Sequence, residues 1–333
     1  MVVINNYPLS VIMCIVTMIC WGSWANTTKL TDGKKWPFQL YYWDYCIGIV
    51  IFCVFLALTL GSFGNEGRSF FQDMVQAKSY YLFLAFLGGI IFNLGNILLV
   101  ASIDLAGMAV AFPVGVGIAL VLGVVVNYLG LPKGDPVVLF FGVAAIVIAI
   151  ILTAIAYSRL NNDTKEKGKG LITAVFAGII MGWFYRFVAS SMSSNFSVPE
   201  AGLLTPYTAL VLFSLGIFFS SFIWNTVMMK KPISGFPIKS SQYFNGTFKD
   251  HGAGILGGII WGLGMSFSIL ASSQAGYAIS YGLGQGATMI AVIWGVFIWK
   301  EFAFANRNTK NLLLAMFVFY IIGIMTIILA NSI

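Results

Sequence analysis

Two charged side chains lie inside long apolar stretches of this chain, and a charge carried into lipid costs about 2.5–3.5 kcal/mol on insertion scales, so each needs a reason to be there. Asp44 sits in YYWDY (41–45) and Arg186 in GWFYRF (182–187). A partly desolvated carboxylate takes up and releases a proton near neutrality, which would make Asp44 a proton-coupling site. Beside Trp36, Tyr41, Tyr42 and Trp43 it could equally be an interfacial anchor in an aromatic belt. Arg186 offers a fork of donors suited to a carbonyl or carboxylate on a substrate; the other reading is a structural arginine satisfied by helix carbonyls or snorkelling outward. At 1.5 Å per residue the two would lie roughly 9 Å and 24 Å from the same membrane edge, which argues against a direct ion pair.

Uncharged polar and aromatic residues form the second set of candidates. Trp21, Trp24, Asn26 and Thr27 fall in the first apolar stretch, Asn93 and Asn96 in the third, Tyr185 beside Arg186 in the sixth, and Gln285 in the ninth. Asn and Gln present both donors and acceptors, as ureido, amide or sugar hydroxyl groups require, while Trp and Tyr provide flat apolar surfaces. Each could also serve only as an interhelical hydrogen bond. The single histidine, His251, reads as a solvated or interfacial residue in a loop. Cys14, Cys20, Cys46 and Cys53 behave as small apolar side chains and show no metal spacing. No Gly-x-x-x-x-Gly-Lys-[Ser/Thr] loop occurs, and no His, Cys or carboxylate constellation suits hydrolysis or metal binding. A cofactor, a metal, a nucleic acid and an enzymatic activity are therefore not expected.

The elements that must position these residues are membrane helices. Hydrophobic residues make up 59% of the 333 and charged residues 9%, with a mean hydropathy of +0.92, a composition no soluble domain carries. Ten runs are long enough to cross a hydrocarbon core, near 9–29, 38–60, 80–102, 107–127, 136–157, 170–191, 202–223, 252–273, 275–299 and 309–331. They lack the two-residue alternation of barrel strands, so helices are the consistent reading. The first carries no Lys or Arg before it and nine spans follow it, which marks a permanent helix rather than a cleaved signal.

The net charge of +7 records topology rather than an anionic partner. One side of the membrane holds Lys29, Lys34 and Lys35; Arg159, Lys165, Lys167 and Lys169; Lys230, Lys231, Lys239 and Lys249; and Lys300, Arg307 and Lys310. The other holds only Arg68, Lys78 and Lys133. The first side is expected to be cytoplasmic, with both termini outside.

The chain also repeats itself. Residues 88–117, GGIIFNLGNILLVASIDLAGMAVAFPVGVG, align without a gap on 257–286, GGIIWGLGMSFSILASSQAGYAISYGLGQG, with six glycines in matched places, among them Gly107/Gly276 and Gly117/Gly286. Five spans per half is an odd number, so the halves enter the membrane in opposite senses and the repeat is inverted. The expected halves are 1–158 and 170–333, joined by a linker at 159–169. Pro113 in the fourth span and its matched Gly282 in the ninth are expected helix-weakening positions, a pointer to a transporter site. The polar stretch 226–251 reads as a connection.

CWGSWANTTK (20–29), LYYWDY (40–45), GGIIFNLGN (88–96) and AGYAISYGLGQGATMIAVIWGVFIWKEF (275–302) resemble segments of the ureide permease family within the drug/metabolite transporter superfamily, in the same order. The resemblance implies an all-α integral membrane fold of ten helices in two inverted five-helix repeats, and proton-coupled uptake of oxo derivatives of nitrogen heterocycles such as allantoin, uracil and xanthine. Plant members have a long central loop with a nucleotide-binding-type motif; this chain has about a dozen residues there and no such motif, which points to a bacterial inner-membrane relative. Neighbouring glucose/ribose porters and rhamnose symporters share the architecture and carry sugars. The expectation is a transporter importing a small polar metabolite with protons, Asp44 coupling and Trp21, Trp24, Asn26, Asn93, Asn96, Tyr185, Arg186 and Gln285 contacting substrate. Sugar symport, export of a metabolite or drug, and a non-transporting membrane sensor are the alternatives.

Overall fold

The computed structural model describes residues 1–33, 35–106, 108–159, 167–232 and 236–331; Lys34, Gly107, Lys165 and most of the 159–169 linker lie outside the described residues. Ten stretches are long and apolar enough to cross a membrane. α1 (Tyr7–Ser23) passes into a 3₁₀ segment at Trp24–Leu30 and is followed by α2 (Phe38–Leu58) and a short α3 (Phe70–Gln76). α4 (Ser79–Ala106), α5 (Met108–Gly130), α6 (Pro136–Ser158), α7 (Lys167–Ser191), α8 (Pro206–Lys230) and α9 (Phe248–Ala275) follow. The ninth crossing is assembled from α10 (Tyr277–Gly284), α11 (Ala287–Ile293) and a π-helical turn (Trp294–Ile298), and α12 (Arg307–Leu329) completes the set.

Local chemistry sets the boundaries. Asn6, Asp135 and Asn306 each accept a hydrogen bond from the backbone N–H three residues on, at 3.0, 2.8 and 2.8 Å, satisfying donors that a helix start leaves orphaned. Proline opens α6 and α8, where its missing N–H costs nothing. Pro206 is also why the seventh span runs 206–230 rather than the expected 202–223. Thr247 caps α9 through Asp250, so His251 is the fourth residue of a helix and not a loop residue. Gly276 alone separates α9 from α10, at φ +82°, a backbone conformation that glycine adopts without strain. Neither Pro113 nor Gly282 interrupts its helix: Pro113 lies within α5 and Gly282 within α10. The break in the ninth crossing falls three residues later, at Gln285–Gly286.

The helix neighbours map onto themselves when the first five crossings are exchanged for the last five. α4 packs on α7 as α9 packs on α1; α2 packs on α9 as α4 packs on α8; α6 with α12, α2 with α8 and α5 with α10 are their own images. Glycine seams follow the same rule. A Cβ at Gly89 would lie 2.0 Å from the Phe213 carbonyl oxygen, and one at Gly258 would lie 2.1 Å from that of Tyr45. Facing them, a Cβ at Gly216 would meet the Phe86 carbonyl at 2.1 Å and one at Gly48 the Ile255 carbonyl at 2.2 Å. In lipid, where apolar surface gains little by associating, such close backbone approach is what holds helices together.

The two ends differ. At the end carrying the termini, Arg68 pairs with Asp73 at 2.9 Å and donates to the Pro199, Glu200 and Leu203 carbonyls. The exposed Glu66 carboxyl there is held below its usual range by the Ser197 hydroxyl and the Asn5 amide. At the opposite, basic end, Tyr157 donates to Glu301 and Lys29 lies over the Trp299 ring, 3.8 Å from its centroid.

Gly89→Leu and Gly258→Leu should each cost about 1–3 kcal/mol by overpacking and lower the melting temperature of the detergent-solubilised protein. Gly33→Ala, where an added Cβ meets nothing within 4 Å, should leave it unchanged.

Candidate substrate site

Phe92 and Trp261 occupy matched positions of the repeat, each at the midpoint of its 28-residue helix, and their rings meet at 4.5 Å between centroids. That contact marks the centre of the molecule. Around it Trp21 stacks on Trp261 at 5.8 Å and 11°, Tyr45 and Phe213 approach the same indole at 6.4 and 6.1 Å, and Trp24 lies 4.6 Å from Tyr45. The result is an aromatic box drawn from α1, α2, α4, α8 and α9, residues of both halves.

A polar knot lies against the box. Tyr42 donates to Asn93 Oδ1 at 2.7 Å, and Asn93 Nδ2 donates to the Ile217 carbonyl, Ser220 Oγ and Ser221 Oγ at 3.1, 2.8 and 3.1 Å. Asn96 donates to the Tyr42 hydroxyl at 3.0 Å, and Cys46 contacts Ser221 at 3.2 Å. Tyr42 and Tyr45 stack at 5.3 Å, which joins knot to box. The knot has no image in the other half. Offsets of 168 and 169 pair Tyr42 with Leu210, Ser220 and Ser221 with Phe52 and Cys53, and Asn93 and Asn96 with Gly262 and Met265.

Asn93 is fully occupied, so its role is to tie α2, α4 and α8 together. Two donors are not. Among the described residues the Tyr45 hydroxyl and Trp21 Nε1 are buried with no hydrogen-bond partner. A buried unpaired donor costs roughly 1–3 kcal/mol, a cost that an arriving acceptor removes.

The sequence-derived candidates divide. Trp21, Trp24, Asn93 and Asn96 come together at the centre. Asn26 instead lies towards the basic end, donating to the Ser23 carbonyl and accepting from Trp299 Nε1. Tyr185 belongs to a separate buried cluster with Ser268 and Ser280 at 3.0 and 3.3 Å. Arg186 sits near the terminus end, its guanidinium directly over Gly130 at the close of α5, and Gln285 sits at the break in the ninth crossing.

Asp44 directly precedes Tyr45 of the box on α2 and turns towards Tyr243 and His251, with its side chain only 2% exposed. Its carboxylate accepts from the Tyr243 hydroxyl at 2.5 Å and meets His251 Nδ1 at 2.9 Å. Arg186 is no part of this group. Sequence reasoning missed His251, Tyr243, Tyr45, Trp261, Ser220 and Ser221. His251, as the chain's one imidazole three residues from a glycine that abuts Asp44 (Gly254), was the findable one.

A family model described as Ureide permease matches residues 41–171 and 169–331. The chain belongs to the ureide permease family. Ureide permease 1 of Arabidopsis thaliana is 24% identical over 96% of this chain and 95% of its own length, and ureide permease 5 of the same plant is 21% identical over 97% and 94%. The glucose uptake protein GlcU of Bacillus subtilis is 25% identical over 78% of this chain and 80% of its own. A solved crystal structure covers 98% of this chain and 100% of its own with a TM-score of 0.57 at 16% identity, a likeness of fold. As a family member the chain is a membrane transporter of small solutes and not an enzyme.

Asn93→Ala should destabilise the protein by about 1–3 kcal/mol, because the buried Tyr42 O–H loses its acceptor and keeps only the bond it accepts from Asn96. Ser220→Ala, which leaves Asn93 two other acceptors, should cost less than half as much in the same thermal melts.

Proposed function

We propose that this protein imports a small flat polar solute, a ureide or oxo-heterocycle, by alternating access of two inverted halves, 1–158 and 170–333, around the Phe92–Trp261 contact. The observation that carries the reading is the polar knot fused to the aromatic box at that contact. A symmetric scaffold with one asymmetric polar site is the arrangement expected where a substrate binds at a repeat interface. Stacking on Trp21 or Trp261 suits a planar ring, and the unpaired Tyr45 and Trp21 donors suit its carbonyl oxygens. In this reading Trp21, Trp24 and Asn96 contact substrate, while Tyr185 and Gln285 line the path in the second half. Arg186 belongs to its terminus-end mouth and Asn26 to its basic-end mouth.

Asp44 is the coupling residue of this account: its buried carboxylate holds the site of the proton that travels with the solute. The basic end then faces the cytoplasm of a bacterial cell, with both termini outside. The similarity to a protein named for glucose uptake supports a second reading, a sugar stacked on the same tryptophans.

The test is uptake of labelled allantoin, uracil and several hexoses into cells expressing the protein, with and without an uncoupler. Uncoupler-sensitive accumulation of a heterocycle is expected, and Asp44→Asn should abolish accumulation. Uptake of a hexose alone would transfer the assignment to sugars, and no uptake of any solute would overturn import.

A further inference from the structure

The basic-end mouth carries a feature the transport reading does not use. Residues 236–247, ahead of α9, lie across it. Ile238 donates to the Met229 carbonyl, a 3₁₀ turn at Ser240–Asn245 follows, and Tyr243 reaches down to Asp44. Beneath this strap is a cleft of about 480 Å³ lined by Lys35, Trp36, Leu40, Gln242 and Asp250, among others. Trp36 closes its inner wall, its ring edge-on to His251 at 4.9 Å and 6.0 Å from Tyr243. Asp44, His251 and Tyr243 thus come from α2, α9 and the strap, and their hydrogen bonds tie the strap to the α2–α9 seam.

We infer that Asp44, His251 and Tyr243 form a binding site for one proton, and that its occupancy latches the strap over the basic-end mouth. The inference rests on Asp44 being the coupling residue. The geometry fixes where each proton can be. The Tyr243 hydroxyl donates to the carboxylate, and burial together with the adjacent Asp44 holds that phenol well above its usual range, so it stays protonated. Asp44 is then an acceptor, and beside Tyr243 its hydrogen-bonding neighbour among the described residues is His251, whose Nδ1 spans both carboxylate oxygens at 2.9 and 3.0 Å. With the proton on, an imidazolium neutralises the buried carboxylate. With the proton off, a net negative charge stays buried beside a neutral ring, and the group gains by parting and hydrating.

The other charged or titratable groups facing this site do not supply that balance. On α9, Lys249 and Asp250 precede His251, and Asp250 is engaged with Thr247. On α2, Tyr41 and Cys46 are uncharged donors, Tyr41 bonded with Thr27 at 2.6 Å. Lys35 lines the cleft, beyond Trp36. The His251 side chain is 27% exposed against 2% for Asp44, so the proton enters and leaves through the imidazole, on the basic side.

Sign follows from the linkage. A proton that balances the buried carboxylate supports the latch at low pH, and its loss as pH rises withdraws that support.

Hydrogen exchange of the backbone amides at 238–247, in purified protein without any solute and corrected for intrinsic rates, reads the latch between about pH 5 and pH 8. Wild type should lose about tenfold protection as pH rises, His251→Gln should show pH-independent exchange, and Tyr243→Phe should exchange fast throughout. Equal protection of the wild-type strap across this range would overturn the latch, and so would an unchanged pH response in His251→Gln. Because no substrate is present, that failure is separate from a failure of the uptake test, which concerns Asp44 and the solute.

Discussion

The structure depends on four places where a helix backbone touches another helix backbone: Gly89 and Gly216 between α4 and α8, and Gly48 and Gly258 between α2 and α9. Each added Cβ would sit 2.0–2.2 Å from a carbonyl oxygen, so no other residue fits without moving a helix. A bilayer offers little hydrophobic reward for bringing helices together, and dispersion contact between small residues replaces it. Once these seams are closed, the tyrosines of α2 and the asparagines of α4 have no freedom in depth or rotation. Tyr42 must meet Asn93, and Tyr45 must meet Trp261. The same seams set the crossing at which Phe92 and Trp261 touch, so the glycines position the site without taking part in it.

Because the seams obey the exchange of halves, departures from the exchange stand out. The knot of Tyr42, Asn93, Asn96, Ser220 and Ser221 is one departure, since its images are Leu210, Gly262, Met265, Phe52 and Cys53. The two ends are another. The terminus end is closed by Arg68 on Asp73 and three carbonyls, and a guanidinium does not release its proton at any physiological pH. The basic end is closed through His251 on Asp44, and an imidazole does. The two mouths are thus fastened by different chemistry, a guanidinium on carbonyls and a carboxylate at one and an imidazole with a phenol on a carboxylate at the other.

Much of this was legible in the sequence, and the reason is the length scale of each signal. A crossing is twenty residues of one character, so the ten spans were read nearly in register, the exception being the seventh, whose polar last turns fall below any hydropathy threshold while Pro206 fixes its start. The repeat was legible because backbone contacts in lipid demand glycine, and Gly88, Gly89 and Gly95 recur as Gly257, Gly258 and Gly264. Trp21, Trp24, Asn93 and Asn96 were legible as polar or flat groups with no business in lipid. Partners were not: Ser220 and Ser221 look like any small residues of a membrane helix until α8 is laid on α4. Tyr42 hid in what reads as an interfacial belt, and Tyr45 lies just beyond it in the same run. His251 was missed because a polar loop seemed to contain it, and the Thr247 cap that draws it into α9 acts over three residues, below the resolution of a span. The expected break at Gly282 failed for a related reason, since glycine permits a break, but the backbone yields at Gln285–Gly286, where α10 ends and α11 begins.

The central claim is that the aromatic box with its unpaired donors receives the solute, and direct binding to purified protein tests it most closely. Titration of wild type and Tyr45→Phe with allantoin and uracil, followed by tryptophan fluorescence or calorimetry, isolates one hydroxyl that makes no hydrogen bond in the folded protein. The account predicts saturable binding of one of these heterocycles, weakened about fivefold to tenfold by loss of a single hydrogen bond worth roughly 1 kcal/mol, with the melting temperature of the unliganded variant unchanged or raised. Equal affinity in the two proteins would contradict it and move the solute away from the Phe92–Trp261 centre.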